Sequence, residues 1–534
     1  MNHSSKDDRL DSQVEDSHVN DAPNLTGDKM NVFILTLLFI QQSVSQGFFQ
    51  SMSTILLTKQ YVSKKDWAKY VLMYFPYNLN IFWAPLVDSV YVKNIGRRKS
   101  WILPSQYLIG ALFFYLAANI YDWIEIKPPK ITYLCVLFLC INFLSSTLDV
   151  SIDGWATTIL KKENVGFLST CKTTGRAVGT VLGYFLPIML HSEEFCNTYL
   201  RSSPEKGGVM TLEGFLYFYG SFFFLANKLI AFVIKEEHYA FSNSHSTKLG
   251  VCQAYALFVG VFKLSAFWKL ASALLTIELG FAAVAHLSSK KLEEYGLRPM
   301  DDFLNTAMLY AVQMIIPIAF CKYTSGTEPL SVLIKMIPYR LFFGLLMTTL
   351  IFYAPNIIIQ NKNNHRTLPL DYFLLIETNK LILEGMAFLF KILLLSFFFR
   401  ISDRRIGATY MTLLFKLTMY GGDFAKSMSL GMSDWLSYKR CSTDTNNDCS
   451  TIGLVEDCNS IRGSCSTIVD GYYCTVILST VLGTIWYIYY RRVLINLQYK
   501  DFNQWWPKSS RNAPQNGHQM QSILPSKSIH SNTC

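Results

Sequence analysis

Trp83-Ala-Pro-Leu-Val-Asp88-Ser-Val-Tyr-Val-Lys93-Asn-Ile-Gly96-Arg97-Arg98-Lys99-Ser-Trp101 is the stretch that decides how this chain is read. One apolar run ends in an acid, and another begins just after a glycine and three cations. The connection between them is too short to be a domain. A tight loop of this kind joins two membrane helices in a carrier that rocks. Its acid can hold the loop cations in one state and release them in another.

The rest of the chain supports a membrane reading. It has 534 residues, 51% of them hydrophobic and only 16% charged, against about 25% charged in soluble proteins. Apolar runs of roughly membrane-spanning length recur at Val32–Leu57, Tyr70–Val92, Trp101–Ile120, Ile131–Leu148, Val178–Leu190 and Phe215–Ile234. Six more follow at Leu270–Leu287, Phe303–Phe320, Met336–Ile359, Tyr372–Phe399, Met411–Leu430 and Tyr473–Tyr490. Lipid offers no partner to an open backbone, so these runs must be helices. The expected fold is an all-α polytopic membrane protein of about twelve spans. Two parallel six-helix halves would place a substrate site between them near the midplane.

The expected organisation is a disordered tail at 1–29, a first half at 30–234, a linker at 235–264, a second half at 265–491 and a second tail at 492–534. An even helix number puts both tails on one side. Lys and Arg are nearly balanced between the loops of the two sides, so the positive-inside rule does not orient the chain. Cysteine does. Cys441, Cys449, Cys458 and Cys465 cluster in the polar loop 436–470, with Cys474 at the mouth of the last helix. They read as two disulfides of open connectivity, which belong in an oxidising compartment. The tails then face the cytosol. The alternative reading of the cluster, a zinc clip, lacks Cys-x-x-Cys spacing and a nearby His.

Several constellations could carry chemistry. Asp88 with Gly96, Arg97, Arg98 and Lys99 reads as a latch, and Arg400 with Asp403 as a second. Asp149 and Asp153 share one helix face, where a gate role or a pairing with Arg97, Arg98, Lys99, Lys161 or Lys162 would answer their charges. Gly175, Gly179 and Gly183 form a smooth ridge for helix packing. Lys172, Arg176 and Arg340 are the anion-binding candidates, because guanidinium holds phosphate with two bonds. Glu377, Lys380, Glu384 and Lys391 lie on one stripe of a helix, and Glu278 sits inside another; intramembrane ionisable residues are functional candidates by default. Glu278, Glu384 and Asp153 are candidates for coupling. No metal or cofactor site and no soluble-enzyme motif is evident, and a net charge of +10 suits headgroups or an anionic substrate better than nucleic acid.

Taken together, the stretches Trp83–Trp101, Asp153-Gly-Trp-Ala, Glu163-Asn-Val-Gly166, Ser169-Thr-Cys171, Lys322-Tyr-Thr-Ser-Gly326, Pro338-Tyr-Arg340, Gly407-Ala-Thr-Tyr-Met-Thr-Leu413 and Asp470-Gly-Tyr-Tyr473 resemble the acetyl-coenzyme A transporters of the endoplasmic reticulum. That family is a branch of the major facilitator superfamily. The resemblance implies a secondary carrier, not an enzyme, taking acetyl-CoA from the cytosol into the lumen to feed acetylation there. Its partners would be acetyl-CoA and the lipid bilayer, with a homodimer left open. Trp155, Tyr323 and Tyr410 are the candidate surfaces for stacking adenine. Arg176 and the charges of the helix holding Glu377–Lys391 depart from the family pattern. The alternatives are a carrier of another organic anion, such as a nucleotide or thiol compound, and an embedded acetyltransferase using His286 or Cys171.

Overall fold

A computed structural model describes residues 27–57, 69–124, 130–160, 164–233, 249–295, 299–360, 369–442, 449, 452–460 and 463–508. Among the described residues, twelve helical stretches build the bundle. The first six are α1 (Lys29–Leu57), α2 (72–89), α3 (Lys99–Ile124), α4 (Ile131–Ile159), α5 (167–191) and α6 (Leu212–Val233). The second six are α7 (265–294), α8 (Pro299–Ala319), α9 (Pro329–Gln360), α10 (Leu370–Ile401), α11 (Gly407–Trp435) and α12 (Gly471–Gln498).

Eight of these are apolar and long enough to cross a membrane: α1, α3, α4, α6, α7, α9, α10 and α12, with α7 interrupted by a 3-10 turn at Ile277–Gly280. The other four differ for a shared reason. α2 is cut into short α and 3-10 pieces around Pro76 and Pro85, and α5 carries a π-turn at Val181–Phe185. α8 opens on Asp301 and Asp302, and α11 carries Lys416, Asp423 and Lys426 inside its length. All four stand where the halves meet, α2 against α11 and α5 against α8, and α4 against α11 and α10 against α5 complete the interface. A helix facing another half and a polar interior does not need an apolar surface all round.

Helix ends run beyond the apolar runs. α4 continues from Leu148 to Ile159 and carries Asp149 and Asp153 inward. α5 begins at Phe167, which puts Lys172 and Arg176 inside a span. The glycine ridge of α5 packs on α1: a Cβ at Gly175 would lie 2.7 Å from the Phe39 Cβ, and Gly179 and Gly183 abut the carbonyls of Ile40 and Val44. Lys161 and Lys162 lie outside the described residues.

Both ends of the described chain reach one face, called here the tail face. Asp28 accepts a 2.7 Å bond from Asn164 after α4, and Arg405 before α11 donates to the Pro507 carbonyl at 2.9 Å. In the stretch read as a linker, helix Val251–Val261 packs on the end of α2, and Tyr255 donates to the Phe82 carbonyl. The stretch read as a disordered second tail is ordered as far as 508. α12 runs to Gln498, and Trp505 is 1% exposed.

The opposite face carries the cysteine loop. Strands β1 (Tyr438–Cys441) and β2 (Cys465–Val469) pair antiparallel, with helix Ile452–Ser460 between them in sequence. Cys441 bonds Cys458 and Cys449 bonds Cys465, which answers the open connectivity with disulfides rather than a clip. Cys474 is free and half-buried.

Candidate functional site: a tail-face latch and a charged midplane

The contact expected to act as a latch joins a carboxylate to a helix end. Asp88 closes α2 and is fully buried. Within its own half it accepts from Arg98 Nη2 at 2.7 Å and Arg97 Nη2 at 3.2 Å. From the other half it accepts from the Thr409 N–H at 2.9 Å, the Thr409 hydroxyl at 2.7 Å and the Ala408 N–H at 3.4 Å. Those N–H groups belong to the first turn of α11, where no carbonyl precedes them and the helix dipole favours an anion. Arg97 adds a second crossing by donating to the Arg405 carbonyl at 2.6 Å. Gly96 turns the loop with φ 108°, a conformation L side chains rarely adopt.

Glycines let the halves close here. A Cβ on Gly154 of α4 would lie 2.6 Å from the Arg98 guanidinium carbon and 2.7 Å from the Ala408 Cβ. One on Gly407 would meet the Thr157 hydroxyl at 2.5 Å, and one on Gly166 the Ser325 Cα at 2.5 Å. Arg400 holds the Ser325 and Gly326 carbonyls at 2.7 and 2.6 Å.

Three latch expectations need correction. Asp403 does not cross to the other half. It caps its own loop by accepting from the Arg405 N–H at 2.9 Å and from the Arg405 guanidinium at 2.7 Å. Asp149 and Asp153 are answered by Lys172 rather than by the loop cations, with Lys172 Nζ 2.6 Å from Asp153 Oδ1 and 3.9 Å from Asp149. Lys99 turns away and donates to the Ala231 carbonyl at 3.5 Å.

The anion candidates lie deeper. Lys172 is 1% exposed and sits 5.6 and 5.1 Å from the Phe39 and Phe415 ring centres. Arg176 stands over Phe415 at 5.4 Å and donates to Gln46 at 3.4 Å. Arg340 and Glu278, read separately as anion contact and coupling group, form one ion pair at 3.1 Å, with the guanidinium 4.0 Å from the Phe281 ring centre. Glu384 is half-buried in mid-α10.

The stacking candidates do not converge on these cations. Trp155 is buried among helices. Tyr410 is buried and donates to the Trp505 carbonyl at 3.0 Å, while Tyr323 is exposed on the tail face beside Phe320. Burial against neighbouring helices, not solvent in a cavity, is what the first two aromatic rings found.

The sequence reading missed Lys416, Asp423 and Lys426. Lys416 lies within electrostatic reach of Asp149, Arg176, Lys172 and Asp423. His286 stands in the field of Lys426, Glu278, Lys391 and Asp423. The charges thus run as one network through both halves, with Lys172, Arg176, Lys416, Lys391, Lys426 and Arg340 against Asp149, Asp153, Glu278 and Asp423. Cations outnumber carboxylates, which favours an anionic ligand. The signal was available, since three ionisable residues inside the run Met411–Leu430 are expensive in a membrane.

Known proteins place the chain in a family. The family described as acetyl-coenzyme A transporter 1 matches residues 31–250 and 238–506. The chain belongs to that family. An uncharacterised Schizosaccharomyces pombe protein is 28% identical over 89% of this chain and 88% of its own length. An uncharacterised membrane protein of Saccharomyces cerevisiae is 25% identical over 90% of this chain and 97% of its own. Among solved structures, the major facilitator transporter FucP in the outward conformation aligns with a TM-score of 0.53 at 13% identity, covering 86% of this chain and 98% of FucP. The chain therefore has the major facilitator fold and belongs to the acetyl-coenzyme A transporter family.

Proposed function

We propose that this protein carries acetyl-CoA from the cytosol into the endoplasmic reticulum lumen by alternating access, supplying acetylation there. The family match along nearly the whole chain carries the reading. The electrostatics agree with it. Acetyl-CoA bears three phosphate groups and roughly four negative charges, and the midplane network holds more cations than acids. Arg176 and Lys416 are the cations we assign to the phosphates. Lys172 supports them while held by Asp153.

In this reading the tail face is cytosolic and the disulfide loop lumenal, since disulfides persist in oxidising compartments. Asp88, Arg97 and Arg98 form the cytosolic latch, engaged in the described state, and substrate would leave toward the lumen. The Arg340–Glu278 pair is where coupling to a proton or to exchange for free CoA would act.

Purified protein in liposomes tests this with labelled acetyl-CoA. Saturable uptake, competed by unlabelled acetyl-CoA, is expected. Saturable uptake of another organic anion without acetyl-CoA uptake overturns the substrate assignment.

A further inference from the structure

Helix Val251–Val261, between the two halves, is apolar but too short at 11 residues to span a bilayer. Ala254, Leu257 and Val261 are buried, and the helix packs on the end of α2 and on the turn Arg404–Ile406. Its outward stripe of Cys252, Ala256 and Val259 is exposed and just as apolar, with Val259 54% exposed. No charged residue occurs from Val251 through Phe262. The outer face of a short helix in water is ordinarily polar or charged, so this stripe is made for another surrounding.

Its neighbours say which. At the turn into α7, Phe258, Phe262, Phe267 and Trp268 form an aromatic cluster with successive ring centres 5.4, 5.2 and 5.7 Å apart. Trp268 is 57% exposed and donates its indole N–H to the Phe262 carbonyl at 2.7 Å. An exposed Trp at the end of a span marks the membrane–water boundary. Phe82 of α2, whose carbonyl accepts from Tyr255 of the helix, is exposed too. The stripe therefore continues the lipid-facing surfaces of α2 on one side and α7 on the other. Lys263 and Lys269, both exposed, stand on either side of Trp268. Apolar stripe, aromatic boundary and cations together complement acyl chains beneath negatively charged headgroups. We propose that helix Val251–Val261 lies in the headgroup boundary of the tail-face leaflet, with Lys263 and Lys269 on anionic lipid. Because the helix touches both the Asp88 end of α2 and the loop of Arg405, the lipid surface steadies the two parts of the proposed latch. This goes beyond the transport reading and needs only the membrane fold.

Bimane placed on the accessible cysteines of the full-length protein in liposomes locates the stripe, once the signal of an identically labelled Cys252→Ala variant is subtracted. Bromines on the lipid acyl chains are expected to quench the Cys252 signal at least about threefold more than iodide does. Quenching by iodide alone puts the stripe in water and overturns the proposal. Protection from both quenchers, with crosslinking of Cys252 between two molecules, gives the stripe to a second copy and overturns it as well. Hydrogen exchange tests the headgroup contact without any substrate. Adding phosphatidylglycerol to phosphatidylcholine liposomes is expected to slow exchange in 84–89 and 404–406, relative to the cysteine loop, by roughly fivefold per lysine engaged. Lys263→Gln combined with Lys269→Gln is expected to remove that difference and leave the bromine quenching in place. Exchange that ignores lipid charge in the wild type, or a charge effect that persists in the double variant, overturns the headgroup contact.

Discussion

At the scale of single residues, the proposed latch turns on one carboxylate with donors in both halves. Asp88 answers Arg97 and Arg98 within its half and the open first turn of α11 across the interface. Asp88→Asn keeps the shape but removes the charge that both sets of donors require. Removing one partner of a buried, hydrogen-bonded charge pair costs about 3–5 kcal/mol, and here the cost falls on the closed tail face rather than on the midplane. Turnover is expected to fall at least tenfold while acetyl-CoA affinity changes less than about threefold; a pure binding defect would count against the latch. Gly154→Ala tests the same closure sterically, because its Cβ would sit 2.6 Å from the Arg98 guanidinium carbon. It should act in the same direction. The Lys172–Asp153 pair is a different case. Each single change, Lys172→Met or Asp153→Asn, strands a buried partner and should lower thermal stability markedly. The double variant should regain most of it in a double-mutant cycle, and additive losses would show that the two do not act as a pair.

At the scale of elements, the stretch after α12 acts as a bracket under the second half. Gln498 accepts from the Leu330 N–H at the start of α9 at 2.8 Å, and Tyr499 donates to Glu328 at 2.6 Å. Further on, the Trp505 carbonyl accepts from Tyr410 and the Pro507 carbonyl from Arg405, while the Trp505 ring meets Phe397 edge-on. Arg405 is also the residue whose own carbonyl takes Arg97 from the first half. The bracket therefore holds the loop that the proposed latch would use. Truncating a buried Trp costs about 3–5 kcal/mol. Trp505→Ala is expected to speed hydrogen exchange in 404–412 well before it affects the cysteine loop, and uniform exchange across the chain would show global loosening instead. The sequence concealed this element for a physical reason. Asn503-Gln-Trp-Trp-Pro507 is short and has no helical period, so its order comes wholly from the surfaces it meets.

At the scale of the whole molecule, the two faces differ in what fastens them. The tail face is closed by ion pairs and helix ends, and the opposite loop by two disulfides of sequence separation 17 and 16. Closing loops of that length is worth about 3 kcal/mol each in the chain-entropy account. Alkylation should label Cys441, Cys449, Cys458 and Cys465 only after reduction, and labelling without reductant would refute the oxidised loop. The sequence by itself determined the membrane class, the twelve spans and the oxidised loop. Lipid allows apolar runs of this length only one backbone solution, and clustered cysteines outside them have few chemical fates. It also marked Asp88, because an acid at the end of an apolar run followed by Gly and cations is costly unless used. Tertiary structure alone decided the partners. The donors to Asp88 include backbone N–H groups of a helix more than three hundred residues away. Arg340 met Glu278, Lys172 met Asp153, and Tyr410 turned to the Trp505 carbonyl instead of a ligand. Which charges neutralise each other depends on how two halves pack, and no local spacing encodes that.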